Sequence, residues 1–421
     1  MLYDVVLFDL DGTITESEPG ITKSVQYALE RLGVDPPPQS ALRGFIGPPL
    51  FPSFVRAGLS EADAGRAVAL YRERFSTIGW RENAVYPGIP RLLRSLKRGG
   101  AYVALATAKP QPFAERIAEH FGFAGLLDRI EGSDLSERHA DKREIVARAL
   151  RGASGRAVMV GDKASDLAAA AGNGIDGVGV RYGYALPGEL EGQRSTAIVD
   201  DVARLSALLM GGAALSPGFF VTFEGQDGCG KTTQLDAAAG WLRERGYPVI
   251  VTREPGGTPI AERIRELVLH SGGMTAACEA LLFAAARAEH LAGVVRPGVA
   301  NGAVVLSDRH VDSSIAYQGA GRQLGMDLVR RINAPAVGDT RPDRTLWFDV
   351  DPALAAARRE EAGGLDRLER EGAAFQDRVY NGFRRLAQDE PDRIRRVDAA
   401  RPIDEVRDQV LIALTELIGR A

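Results

Sequence analysis

The stretch GQDGCGKT, residues 225–232, restricts what this chain can fold into more than any other. It fits G-x-x-x-x-G-K-[ST] at every fixed position and directly follows the apolar run 219–223, which reads as a buried strand. The chemistry explains the spacing. Gly225, Gly228 and Gly230 let the backbone turn tightly and aim its N–H groups at phosphate oxygens. Lys231 offsets β/γ-phosphate charge, and the Thr232 hydroxyl is a ligand for Mg²⁺. A helix expected from Lys231 onward adds its positive N-terminal end. A glycine-rich turn without a ligand is the bland alternative. Strand, loop and amphipathic helix in succession favour a nucleoside triphosphate site.

The chain has 421 residues, enough for two or three domains with full-sized cores. Apolar content of 45% and charged content of 26% suit a soluble globular protein. A net charge of −4 leaves no electrostatic footprint for nucleic acid or an anionic membrane, so small-molecule partners are expected. Cys229 and Cys278 stand too far apart for a C-x-x-C motif, and free thiols in a reducing cytoplasm are expected. The opening MLYDVVLFDLDG breaks its apolar run with Asp4 and Asp9, which reads as neither a signal peptide nor a membrane anchor.

In the first half, VVLF (5–8) reads as a buried strand running into DLDGT (9–13). Asp9 and Asp11 then sit at a strand's C-terminal end, where open α/β sheets place their chemistry. Helical periodicity at 21–32 and 60–78, without strands, suggests a helical insertion. AYVALAT (101–107) reads as a second strand ending on Thr107, and helices are expected at about 112–121 and 141–150. RAVMVGDKASD (156–166) is a third strand ending on Asp162, with Asp166 four residues on, and IDGVGV (175–180) closes the alternation. The pattern predicts a doubly wound parallel sheet.

DLDGT, Thr107, Lys142 and GDKASD together resemble the haloacid-dehalogenase superfamily of phosphatases, over residues 1–209. The resemblance implies a Rossmann-like domain with an α-helical cap at about 15–83. It also implies Asp9 as the phosphoryl-accepting nucleophile and Asp11 as general acid and base. Thr107 and Lys142 would hold phosphate oxygens. Mg²⁺ would be secured by Asp9, Asp162, Asp166 and the Asp11 carbonyl. Elementary chemistry points the same way: a carboxylate attacks phosphorus only when the phosphate's charge is neutralised, and a second carboxylate can protonate the departing alkoxide. Lys163 and Ser165 stand where close relatives often carry Arg and His, which bears on substrate more than on chemistry.

Residues 210–217 are small, with glycine and proline and no periodicity, and read as a linker; a second βα alternation is expected over 218–421. Strands are expected at 248–253, 302–308 and 345–350. In ALLFAAARAEHL (280–291) the spacing predicts Leu281, Leu282, Ala285 and Ala288 toward a core, with Phe283 and Arg287 together on another face. FEGQDGCGKTTQ, TREPGGT, LLFAAAR, DRH and AYQGAGR resemble thymidylate kinase in order and spacing, across about 217–421.

That resemblance implies a P-loop nucleoside monophosphate kinase fold and ATP as co-substrate. Gly225, Asp227, Gly228, Cys229, Gly230, Lys231, Thr232 and Thr233 would surround the ATP phosphates. Asp227 and Arg253 would contact the sugar and phosphate of dTMP, and Phe283 would stack on thymine. Arg287 and Arg309 would hold the monophosphate or the base edge, Tyr317 would exclude a 2′-hydroxyl, and Gln318 would bond the base. Asp308 and Thr232 would lie near Mg²⁺. The charged stretch 358–371 matches a lid over ATP, with Arg358, Arg359 and Arg367 as candidate mobile cations and Arg367 in the best-matched segment. A homodimer through this domain is a further expectation of the resemblance. The expected protein is α/β, with two doubly wound parallel-sheet domains, and carries a dTMP kinase and a phosphatase. The alternative is another nucleoside monophosphate kinase tethered to a catalytically silent phosphatase-like module.

Overall fold

The computed structural model describes residues 1–135, 141–213, 215–362 and 371–419, without the side chains of 359–362. It divides into two compact units. One is Met1–Ser216 with Glu244–Tyr247, the other Pro217–Arg243 with Pro248–Ala421.

In the first unit the strands are β1 (Val5–Phe8), β2 (Thr15–Glu16), β3 (Ala84–Val85), β4 (Tyr102–Pro110), β5 (Arg129–Ser133), β6 (Ala157–Gly161), β7 (Asp176–Val180) and β8 (Ala197–Val199). The main sheet runs β5-β4-β1-β6-β7-β8 and is parallel throughout. β1 explains why helices cover both faces. Val6 and Phe8 join one apolar cluster, while Val5 and Leu7 join another, as the two-residue period of a strand requires.

The helical insertion after β1 includes the helices Glu18–Arg31 and Glu61–Thr77. Its ends are pinned by a small antiparallel ribbon of β2 and β3, with Thr15 opposite Val85 and Glu16 opposite Ala84. The sequence reading had no strands there, because two-residue strands carry no readable period. Nor does IDGVGV close the sheet: β8 and the helix Val202–Met210 follow it. β5 also escaped the reading, since RIEGS is polar and half-exposed at the sheet edge.

The second unit holds β9 (Phe219–Glu224), β10 (Val249–Arg253), β11 (Val304–Asp308), β12 (Arg344–Asp349) and β13 (Ile394–Asp398), in the parallel order β10-β11-β9-β12-β13. β9 is buried along its whole length at the centre. The helix Ala276–His290 corrects the expected core face. Phe283, Ala284, Ala286, Arg287 and His290 are buried, whereas Leu281 is 58% exposed and Ala285 is exposed. Hydropathy misleads here because the inward arginine and histidine find a buried carboxylate, which removes the cost of burying them. Among the described residues no helix is long and apolar enough to cross a membrane.

Candidate active sites

The first site forms at the C-terminal ends of β1, β4 and β6. Asp9 follows β1 and is fixed by its N–H donating to the Val160 carbonyl at 2.9 Å. Lys142, at the start of the helix Lys142–Ala149, places its ammonium 2.6 Å from Asp9 Oδ1 and 2.8 Å from Asp166 Oδ1. Burial opposes that charge, yet Asp166 and Asp9 outweigh burial and raise the lysine's pKa. Asp9, Asp162 and Asp166 each offer a carboxylate oxygen within 4.8 Å of the others. Burial and mutual repulsion push Asp162 well above the usual carboxylate range; Asp166 is raised to about 6, burial outweighing Lys142. Buried carboxylates crowded this closely suit a hard divalent cation, so the residues present fit Mg²⁺.

Asp11 lines the same cavity as Asp9 and Asp166 but stands outside that tight carboxylate group. Its Oδ2 lies 2.8 Å from Lys109 Nζ, while Oδ1 is buried without a hydrogen-bond partner. Thr107 and Lys109 lie two apart on β4, so the strand's period brings both to the same cavity. The cavity's other wall comes from the insertion, with Phe45, Leu50, Tyr71 and Phe75.

The second site surrounds the loop between β9 and the helix Lys231–Glu244. Gly225, Gly228 and Gly230 adopt φ of 143°, 81° and 87°, values that L side chains rarely take. Lys231 folds back over the loop, donating to the carbonyls of Gly225 (3.1 Å) and Gln226 (2.9 Å). Thr232, exposed at the helix start, donates to Asp308 Oδ2 at 3.5 Å, and Asp308 Oδ1 is a buried oxygen without a hydrogen-bond partner. That pair of oxygen donors also fits Mg²⁺. Cys229 is buried and Thr233 exposed.

Beside the loop lies a cavity walled by Phe283, Arg287, Arg309, Tyr317 and Gln318. Asp227 Oδ1 holds Arg309 at 2.6 Å, and the Arg309 guanidinium lies 5.1 Å from the centre of the Tyr317 ring. Arg309 itself takes φ 71°, an unusual value for a long side chain. Gln318 donates to Glu279 at 2.9 Å. Arg287 is enclosed by Glu254 (2.8 Å), Ser314 (3.1 Å) and Asn333. A flat aromatic face beside arginine forks suits a planar base joined to a dianionic phosphate.

Two family models match the chain: thymidylate kinase over residues 223–410 and haloacid dehalogenase-like hydrolase over 6–180. The thymidylate kinase of an Exiguobacterium species is 45% identical over 196 residues, 46% of this chain and 92% of the relative. That of Gloeobacter violaceus is 48% identical over 198 residues, 46% of this chain and 93% of the relative. The chain belongs to the thymidylate kinase family, with a haloacid dehalogenase-like domain ahead of it. Among solved structures, a predicted phosphatase from Clostridium acetobutylicum is 38% identical, with 50% of this chain and 100% of that one covered at a TM-score of 0.48. A thymidylate kinase from Ehrlichia chaffeensis is 35% identical, with 47% and 99% covered at 0.39.

In the thymidylate kinase half, Arg253 lies apart from the other expected contacts. It is more than half exposed and paired with Glu262 at 3.1 Å; the arginines lining the cavity are Arg265, Arg287 and Arg309. Arg358 donates to the Ala399 carbonyl at 3.0 Å, whereas Arg367 and the Arg359 side chain lie outside the described residues. The sequence reading assigned no role to Glu254, Arg265 or His310. Glu254 directly follows the strand end at Arg253, a position that could have flagged it. In the hydrolase domain Lys109 carries no signal of its own, because the apolar run stops at Thr107 whereas β4 continues to Pro110.

Proposed function

We propose that the chain carries two phosphoryl-transfer activities: an ATP-dependent dTMP kinase in the C-terminal half and a Mg²⁺-dependent phosphomonoester hydrolase in the N-terminal half. The kinase reading is carried by the Phe283–Arg287–Tyr317 cavity opening beside a complete phosphate loop. Phe283 offers a ring face to the base, Arg287 and Arg309 offer forks to the base edge and monophosphate, and Tyr317 fills the space a 2′-hydroxyl would need. Lys231 turns from its two loop carbonyls to the transferring phosphoryl group, and catalysis is positioning plus charge neutralisation. Mg²⁺, held through Thr232 and Asp308, would offset phosphate charge. The lid stretch would supply a further cation, with Arg367 the first candidate.

In the hydrolase, Asp9 attacks phosphorus and the alkoxide leaves with a proton from Asp11. Water, deprotonated by Asp11, then releases phosphate from the Asp9 acyl phosphate. Thr107 and Lys142 hold the phosphate oxygens. Mg²⁺ at Asp9, Asp162 and Asp166 would neutralise phosphate charge. Asp11's unpartnered oxygen and its separation from the carboxylate cluster support the acid–base role. Two free cysteines suit a reducing compartment, and a homodimer through the kinase half belongs to the same reading.

Two assays test this. ADP formation is measured with dTMP against dUMP, dCMP and dGMP; a preference for any nucleotide other than dTMP would refute the kinase assignment. Phosphate release is screened over many phosphomonoesters with wild type beside Asp9→Asn. Turnover that survives the substitution would refute the hydrolase mechanism.

A further inference from the structure

Tyr184 joins the carboxylate cluster of the hydrolase site to the helical insertion that forms the cavity's other wall. Its backbone N–H donates to Asp162 Oδ2 at 2.7 Å. Its phenol oxygen accepts the N–H groups of Ser17 (2.8 Å) and Glu18 (2.9 Å), where the insertion's first helix begins. Its carbonyl accepts Lys163 Nζ. A side chain added at Gly47, in the insertion's second segment, would meet the Lys163 stem at 3.4 Å, so that segment packs on the same lysine. Tyr184 thus touches Asp162 directly and both early parts of the insertion, one through its phenol and one through Lys163.

The surroundings are shaped for this placement. Gly12 has φ 86°, and a Cβ there would come within 2.3 Å of Asp162 Oδ2 and 2.8 Å of the Tyr184 ring. Nothing larger than hydrogen lets the ring lie so close to the carboxylate. Tyr182, two residues earlier, donates from its hydroxyl to the Thr13 carbonyl at 3.1 Å and packs edge-on against Tyr86, 4.8 Å between ring centres. Tyr86 follows β3, the return strand of the insertion's ribbon. The segment 182–184 therefore grips the chain at both entry to and exit from the insertion.

We infer that Tyr184 is a positioning residue that couples occupancy of the Asp9–Asp162–Asp166 site to the placement of the insertion over the substrate cavity. The inference rests on the hydrolase reading above. Tyr184 bonds both Asp162 and the first turn of the insertion, so a cation that fixes Asp162 also fixes the Tyr184 amide. The phenol then holds the first turn of the helix Glu18–Arg31, and with it the wall residue Ile21. By linkage, anything that orders the insertion must in turn favour cation binding by the same factor.

The test is hydrogen exchange of the full chain with and without Mg²⁺, in wild type, Tyr184→Phe and Lys163→Met. Tyr184→Phe keeps the ring and both backbone bonds and deletes the phenol oxygen, the acceptor of the Ser17 and Glu18 amides and a partner of the Tyr86 hydroxyl. In wild type, Mg²⁺ should slow exchange of the peptide spanning 15–31 about fivefold or more, the lower end of common coupling factors. In Tyr184→Phe that response should vanish, while Mg²⁺ still binds by calorimetry with affinity reduced by the same factor. Lys163→Met should instead lose the Mg²⁺ response in the peptide spanning 45–54 and keep it at 15–31. A wild-type response at 15–31 in Tyr184→Phe would overturn the coupling while leaving the hydrolase reading intact. Failure of wild type to bind Mg²⁺ at all would overturn the hydrolase reading, and the coupling with it.

Discussion

Lys231 and Asp9 are each nearly buried and each held by groups of their own site, Lys231 by two loop carbonyls and Asp9 by Lys142. Replacing either removes one centrally placed charge without touching the other site. Lys231→Ala is expected to reduce dTMP phosphorylation by about 100-fold or more and to leave phosphate release from phosphomonoesters near wild type. Asp9→Asn is expected to do the reverse. Parallel ADP and phosphate assays on the two variants check this, and a folded variant lacking both activities would contradict separate sites. Glu254 gives a second residue-scale prediction. One of its oxygens holds Arg287, and the other accepts from His290 (2.8 Å) and His310 (3.0 Å). Burial would raise this carboxyl, but Arg287 and the histidines hold it well below the usual range. Glu254→Gln leaves Arg287 buried without its counter-charge, which should cost about 3 kcal/mol of stability in the kinase half and lower kcat/KM for dTMP. Urea unfolding beside steady-state kinetics measures both; an unchanged midpoint would contradict it.

At the scale of elements, β9 ends on Glu224, whose carboxylate accepts from the His310 N–H (2.7 Å) and from Ser313 (2.5 Å). Burial, then repulsion from Asp312, lifts this group from 4.5 to about 8. The folded strand end therefore binds the proton more tightly than the unfolded chain does. Its stabilising contribution is complete below about pH 4.5 and is lost as pH climbs through about 8. The melting temperature of the kinase half should fall between about pH 5 and 8 and level off above that, and Glu224→Gln should flatten that fall. Calorimetry at several pH values decides the matter: an equal slope in both proteins would mean that other groups carry the dependence. The helix Ala276–His290 teaches a related lesson. Its interior face carries Arg287 and His290, because β10 delivers Glu254 to meet them. No period within one helix announces a partner on a distant strand.

At the scale of the whole molecule, two activities on one chain meet one local pool of small molecules. A hydrolase that consumed dTMP would undo the kinase's substrate supply and spend ATP to no end. The wall offered to the leaving group, with Phe45, Leu50, Tyr71, Phe75 and Phe113, comes largely from the insertion and is where selectivity against dTMP would arise. One missing methyl is worth only about 1–3 kcal/mol, so a substrate chemically distant from dTMP, rather than dUMP, is expected. Ranking kcat/KM for dTMP within a broad phosphomonoester panel checks it. A top rank for dTMP would point instead to control of the dTMP pool.

Much of this was legible in the residues themselves because phosphate chemistry demands local patterns. The glycines, lysine and threonine of 225–232 must be contiguous to wrap a phosphate, and DLDGT must place two carboxylates at one strand end. The central strands β1, β4, β6, β9 and β11 are apolar because both sheet faces are covered, so they too announce themselves. Only the tertiary structure decided what depends on contacts between distant segments. It set the edge strands, β5 half-exposed and polar and β8 only three residues long, and the ribbon too short to show a period. It also turned a polar helix face inward, where Glu254 meets Arg287 across 33 residues of sequence. Tyr184 meets Asp162 across 22. Such pairings are set by how strands and helices stack, and electrostatic satisfaction inside a low-dielectric core then fixes them where hydropathy alone would have placed something else.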